Sequence, residues 1–419
     1  MIKKIKIYIT LAAVAFSSVS CLDKYPEDAI PEGDAIRTVE EANQAVIGIY
    51  AYMKNPNLYS GLLTLLPDLQ ADLAYAVEGY TNTYGNIWRW DILPTNTEVE
   101  AVYGTLNALI GKCNFLLERI AILEQEVDDE DYEKLQQFKG EALFARALAY
   151  SDLIKMYCKA YDPATAANEL GVVLVSSYSN TGTLKRASLK DSYQFVLDDL
   201  AQSATCLEPD ENENDESYYD TPYFTIYAVN ALYARVYLNM QEWDKAIEYA
   251  SKVIDSRKFK LSSTTEMIDS ETSYYQYMWQ YDHSTETIWK VGFTTTSYGG
   301  SLGQIFFNYD FNSFKPDYVP AEWVLNLYAD TDLRATTFFQ SYRTGYEHGL
   351  QWPLLAKYFG NQEFYEQNIL HVTMPKVFRL SEQYLIRAEA YCQKSNPEYG
   401  KGASDLYAAP SYPMMRNGI

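Results

Sequence analysis

Apolar residues recur every three or four positions along much of this chain, the spacing that lines one face of an α-helix. Val39, Ala42, Val46, Ile49 and Met53 set the first such face. Val102, Leu106, Leu109, Cys113, Leu116, Ile120 and Leu123 set a second, and Leu135, Phe138, Ala142, Ala145, Ala149, Leu153 and Tyr157 a third. Leu189, Tyr193, Val196 and Leu200 predict a shorter helix. Residues 225–240 and 243–255 predict two helices about a tight Gln241-Glu242 turn. Residues 378–395 return to the period, with Leu380, Tyr384, Leu385, Ala388 and Tyr391 on one side. Two tracts break it. Residues 58–91 are punctuated by Gly61, Gly79 and Gly85 and end near Trp88 and Trp90. Residues 261–375 are rich in turn formers and aromatics, and runs such as 287–293 read as strand. The acidic runs 126–133 and 208–216 read as solvated loops.

The expected fold class is therefore mostly α. Tetratricopeptide-like helix pairs should run over residues 39–260. A loop-rich mixed region over 261–375 should pack on that scaffold, and 376–419 should hold a C-terminal helix and a short end, naturally short or truncated. The pair at 225–255 carries the clearest repeat signal. Ala234, Ala246 and Ala250 let two helices approach closely, and Trp243 and Tyr249 fill the space beside them, in the manner of a tetratricopeptide repeat. Stacked pairs bury a face that none buries alone.

The N-terminus adds an address. Lys3, Lys4 and Lys6 precede an apolar run over 7–16, then Ser17-Ser18-Val19-Ser20 and Cys21. The run is too short to span a bilayer, and the order is that of a signal peptide. With cysteine directly after the small residues it resembles a bacterial lipoprotein signal, although Ser18 stands where such signals carry a larger aliphatic residue. It implies cleavage of residues 1–20, acylation of Cys21, and a tether over 21–38 holding the protein to a membrane through its lipid.

The chain carries 34 basic and 56 acidic residues, a formal charge of −22, and the three leader lysines count among the basic ones. So acidic a surface excludes nucleic acid as partner, since phosphate binding needs a basic patch. Carbohydrate, neutral and abundant outside cells, fits better. Cys113, Cys158, Cys206 and Cys392 are widely spaced within helical patterns and suggest no disulfide framework. Three histidines leave little for a metal site, and no cofactor fingerprint occurs. The 39 tyrosines suit half-wet seams and loops.

One catalytic pattern occurs. Gly299-Gly300-Ser301-Leu302-Gly303 fits G-x-S-x-G, the nucleophile elbow of α/β-hydrolases. That elbow follows a buried strand, whereas polar Thr294-Thr295-Thr296-Ser297 precedes this one. His348 and His371 are the available bases, and nothing in the sequence places either beside Ser301. A flexible glycine loop is the better reading, and the chain is expected not to be an enzyme. The run 210–216 offers oxygen ligands for calcium without the spacing of an EF-hand, so no metal is expected.

Four stretches in order resemble the SusD/RagB family of nutrient-binding outer-membrane lipoproteins. The most specific is Phe378-Arg379-Leu380-Ser381-Glu382-Gln383-Tyr384-Leu385-Ile386-Arg387-Ala388-Glu389-Ala390-Tyr391, close to the family's C-terminal signature helix. The others are the run from Gly140 to Tyr150, the repeat around Ala234 to Ala250, and Asp330-Thr331-Asp332-Leu333-Arg334. The resemblance implies a SusD-like α-α superhelix, glycan binding without catalysis, and delivery of oligosaccharide or polysaccharide to a TonB-dependent SusC-type outer-membrane transporter. It also implies ligand contacts from residues 68–90 and 294–318. There Asp72, Tyr75, Tyr80, Tyr84, Trp88, Trp90, Tyr298 and Tyr309 are the candidates, Trp88 and Trp90 sharing a face if that segment is extended. Binding of peptide or another non-glycan ligand is the alternative, and an exported hydrolase the third reading.

Overall fold

Thr38 opens the first helix: its hydroxyl accepts the backbone N–H of Glu41, filling a donor that a helix start leaves open. The computed structural model describes residues 35–77, 83–178, 184–207, 218–310, 313–329 and 332–409. The leader, Cys21, Tyr80 and the acidic run 208–216 lie outside them. Helix α1 (Val39–Tyr52) is followed by α2 (Leu62–Gln70), a helix inside the tract that the sequence marks as irregular. Five of its nine residues are buried leucines, Leu62, Leu63, Leu65, Leu66 and Leu69, and Pro67 sits within it. Burial on several sides leaves no single apolar stripe, so the helical period does not show.

Helices α3 (Thr97–Leu123) and α4 (Asp129–Tyr157) form the longest pair. The acidic run 126–133 is solvated as expected, but it is not all loop. Asp128 caps α4 by accepting the Asp131 N–H, and Asp129, Glu130 and Asp131 sit at the positive end of the helix dipole. Every residue of α4 from Gly140 to Ile154 is buried, which makes it the central helix. Its charged members are paired, as buried charges must be. Glu141 accepts the Tyr50 hydroxyl at 2.8 Å, Asp152 accepts that of Tyr59, and Arg146 donates to both Asp199 oxygens at 2.6 and 2.8 Å and to Asn114 at 2.7 Å. A Cβ on Gly140 would stand 2.8 Å from Cys206 Cβ, so glycine sets the approach of the next helix.

That helix is α5 (Leu189–Cys206), followed by α6 (Ile226–Asn239) and α7 (Trp243–Asp255). Gln241 turns between the last two with a φ of 62°. The Tyr249 ring stacks 4.2 Å from Tyr233 and 5.5 Å from Tyr237. Helix α8 (Tyr274–Gln280) belongs to the loop-rich region, and α9 (Leu380–Gln393) and α10 (Tyr399–Ala408) return to the stack. Ala234, Ala246 and Ala250 bury against Ile386 and Ala390 of α9, so the signature helix closes the repeat pair. Trp243 is half-buried at the edge of that cluster, more open than the helix-pair reading expects.

The signature side chains are scaffold. Arg387 donates to both oxygens of Asp405 at 2.7 Å. Arg235 holds Glu382 at 2.7 and 2.8 Å and lies 4.1 Å over the Phe378 ring. Arg334 pairs with Asp332, which also caps its own short helix. Glu389 is exposed.

The strands are short. They are β1 (Ala74–Ala76), β2 (Leu170–Val173), β3 (Arg186–Ser188), β4 (Thr287–Lys290), β5 (Tyr309–Asp310), β6 (Ser313–Phe314), β7 (Tyr318–Pro320), β8 (Phe339–Arg343), β9 (Gln351–Leu355) and β10 (Lys376–Arg379). They pair two by two and antiparallel: β1 with β7, β2 with β3, β4 with β10, β5 with β6, β8 with β9. No wider sheet forms among the described residues, and none follows a buried strand into Ser301. The four described cysteines are free, and burial pushes the Cys113 thiol up to about 12.

Candidate ligand-binding seam

Strands β1 and β7 bring the early and late irregular tracts together, with Ala74 opposite Pro320 and Ala76 opposite Tyr318. Hydrogen bonds extend the seam beyond the strands. The Thr83 hydroxyl donates to Asp317 at 2.8 Å, the Tyr318 hydroxyl to the Thr83 carbonyl at 2.8 Å, and Trp323 Nε1 to the Asp72 carbonyl at 3.2 Å. Beneath it, Leu65, Leu69, Phe306, Phe307, Tyr318 and Tyr358 form a hydrophobic cluster separate from the helical core.

A cavity of about 270 Å³ lies on this seam, with Ser60, Tyr84, Ser301, Gln304, Asn308 and Asp317 on its wall. The glycines of Gly299–Gly303 shape it. The Gly300 N–H donates to Ser60 Oγ at 3.0 Å, and a Cβ on Gly299 would stand 2.5 Å from that same oxygen. A Cβ on Gly303 would overlap the Tyr358 carbonyl at 1.7 Å. The motif therefore serves close packing of loop on helix. Ser301 is exposed and no hydrogen bond joins it to a histidine. His371 is buried with Nδ1 at 2.9 Å from the Phe359 carbonyl, and His348 sits in an exposed turn at a φ of 61°.

Polar groups on the wall differ in their commitments. Asp317 is buried, and burial raises its carboxyl above the usual range while the Thr83 hydrogen bond pulls it back. Its Oδ1 is buried without a hydrogen-bond partner of good geometry, the Asn308 amide lying nearby. Ser301 and Gln304 are exposed and spend no side-chain hydrogen bond within the described protein. None of these five polar wall residues was marked as a binding candidate by the sequence. Only Ser301 carried a signal, and it pointed to a different chemistry.

The candidates named from sequence separate into three groups. Tyr84 lines the cavity at a φ of 64°. Trp88 ends a one-turn helix (Gly85–Trp88), donates its Nε1 to the Ala74 carbonyl at 2.8 Å and meets the Tyr318 ring edge-on. Trp90 is 62 % exposed at a φ of 61°. The Trp88-Arg89-Trp90 segment is thus helical and then left-handed, and the shared face of an extended strand does not form. Tyr75 and Tyr298 are about half exposed, at 48 % and 46 %, and Tyr298 directly precedes the glycine loop. Asp72 is exposed at a φ of 57° and reaches the seam through its carbonyl. The backbone of Tyr309 lies in β5, and Tyr80 falls outside the described residues. Among the described residues no cluster of three or more His, Cys, Asp or Glu could hold a metal, and no helix is long and apolar enough to cross a membrane.

Comparison with known proteins gives consistent results. A family model of SusD-like proteins, described as "Starch-binding associating with outer membrane", matches residues 22–238. SusD-like protein P2 of Formosa agariphila is 23 % identical over 257 residues, which is 61 % of this chain and 46 % of that protein, so the match spans less than half of the relative. A SusD superfamily protein from Bacteroides thetaiotaomicron superposes with a TM-score of 0.72 at 23 % identity, covering 88 % of this chain and 79 % of that one. Surface glycan-binding protein A from Bacteroides uniformis superposes with a TM-score of 0.69 at 16 % identity, covering 91 % and 83 %.

Proposed function

Because the chain belongs to the SusD/RagB family, we propose that it binds glycan at the outer membrane. In this reading acylated Cys21 holds it at the cell surface, and it hands oligosaccharide to a TonB-dependent SusC-type transporter. One observation carries the binding part. Ser301 and Gln304 present uncommitted polar side chains on a cavity that Tyr84 and Asp317 also line. A sugar hydroxyl is both donor and acceptor, and a Gln amide and a Ser hydroxyl each offer both. A tyrosine face suits the C–H side of a pyranose. Such a wall, few polar groups on a partly apolar concavity, is the usual build of a small-ligand site. Exposed Trp90 and Tyr298, on the two tracts that form the seam, offer further stacking faces. No bond is made or broken in this role.

The test is affinity electrophoresis of the protein against a panel of polysaccharides, with reducing-end release measured on the same mixtures. Retardation by at least one glycan, reduced by Gln304→Ala and without new reducing ends, is the expected result. Retardation unchanged by Gln304→Ala would move the site elsewhere, and release of reducing ends would overturn the non-catalytic reading.

A further inference from the structure

A second cavity of about 170 Å³ shares Leu302 with the first and has a different character. Lys357, Lys376 and Arg379 line it around the indole of Trp279, and no acidic residue does. The three cationic groups lie 5.2, 5.0 and 5.2 Å from the Trp279 ring centre. On a chain of net charge −22 such a cluster is an exception that calls for a cause.

Two of the cations are matched from behind. Lys376 pairs with buried Asp282 at 2.5 Å and Arg379 with buried Glu286 at 3.1 Å. Lys357 is not. Its ammonium sits among the rings of Trp279, Phe338 and Tyr358, at 5.2, 5.7 and 4.9 Å, and no carboxylate of the described residues lies within ion-pair distance. Asp68 supports the charge electrostatically, but it accepts the Tyr358 hydroxyl at 2.9 Å and does not line the cavity. Aromatic faces attract a cation but do not replace a counterion. Burial lowers the Lys357 pKa, Asp68 opposes the shift, and Arg379 and Lys376 lower it further. A partly buried charge held among like charges costs stability unless something pairs with it.

We propose that this cavity is an anion subsite that takes the carboxylate or ester sulfate of an acidic sugar, so that the glycan is a charged one. The inference rests on the glycan-binding reading above. The cavity exceeds the space of a single water. Arg379 offers a planar fork matched to carboxylate and sulfate oxygens. Lys357 supplies the charge that no protein group has claimed. A neutral sugar would leave that charge unpaired, so the pocket discriminates by penalty as well as by attraction.

Calorimetric titration of the full chain decides it, with oligogalacturonate against its methyl ester, and a sulfated galactan oligosaccharide against its desulfated form. Free galacturonate against galactose serves as a direct arm. The expected result is at least tenfold tighter binding of one charged ligand than of its neutral partner. Lys357→Gln should abolish that preference and Lys357→Arg restore it, with neither variant melting below the wild type. The carboxylate and sulfate pairs report which anion is meant. Equal binding of charged and neutral forms would overturn the subsite and leave the glycan reading intact, as would a preference that survives Lys357→Gln. Failure of every oligosaccharide and of galacturonate would sink both.

Discussion

Thr83 and Asp317, 234 positions apart, are joined by a hydrogen bond of 2.8 Å that closes the early and late tracts over the cavity. The bond is buried on the Asp317 side, where water cannot substitute for a lost donor. Thr83→Val should cost about 1–3 kcal/mol in urea unfolding, the usual penalty for stranding a buried acceptor. The pH dependence has a definite sign. Burial raises the Asp317 pKa in the folded state, so the folded protein binds this proton more tightly than the unfolded chain does. Stability from this group is present below the unfolded value of about 3.9 and falls as pH rises through the folded one. Asp317→Asn should flatten that part of the stability–pH curve; an unchanged slope would contradict the assignment.

The two neighbouring tryptophans should respond in opposite ways. Trp88 is tied to the Ala74 carbonyl and packed on Tyr318, so Trp88→Ala should lower stability by about 2–3 kcal/mol, below the cost for a fully buried ring. Trp90, 62 % exposed, should melt as the wild type when changed to Ala. If it stacks on sugar, the same change should weaken glycan binding about tenfold, equivalent to roughly 1.4 kcal/mol. Thermal melts and titrations of both variants check this, and normal binding by Trp90→Ala would remove it from the site.

Lys357 and Lys376 make a second contrast. Lys376→Met strips the partner from buried Asp282 and should destabilise by about 3–5 kcal/mol. Lys357→Met strands no carboxylate and should leave the melting temperature equal or higher. Because burial lowers the folded pKa of Lys357, its penalty is fully present only below that folded value. It is relieved as pH rises through that folded value toward the unfolded value of about 10.4. The stability gap between Lys357→Met and wild type should therefore narrow on alkalinisation. A gap that widens would show the lysine to be stabilising.

In the proposed reading, membrane attachment rests on the Cys21 thiol. Cys21→Ala should move the protein from the membrane pellet to the soluble fraction, because no described helix could hold it there in place of the lipid. Persistence in the pellet after removal of the leader would defeat the lipoprotein assignment.

The helical scaffold was legible in the sequence because its information is local. A stripe such as Val102 to Leu123, or the small residues Ala234, Ala246 and Ala250 of the repeat pair, states both the element and the face it buries. Where burial becomes all-round, as in α2, the stripe disappears and the helix is hidden; the middle of α4 is also buried on all sides, yet the spacing from Leu135 to Tyr157 still shows the helix. The acidic start of α4 misled for a related reason: charge reports solvation, and a solvated segment can still be helix.

The seam belongs to tertiary structure. Ser60, Gln304, Asn308 and Asp317 are ordinary polar residues at separate points of the chain, and only the β1–β7 pairing and the packing of Gly299–Gly303 against Ser60 and Tyr358 make them one wall. The sequence named the two tracts through the family resemblance, but whether a ring braces or faces outward was decided by backbone angles that no local pattern encodes. Trp88 and Trp90 differ in that respect across a single residue. The same holds for Lys357, whose charge is unremarkable in a list and becomes informative only when folding brings Lys376, Arg379 and one indole around it while assigning the nearby carboxylates to others.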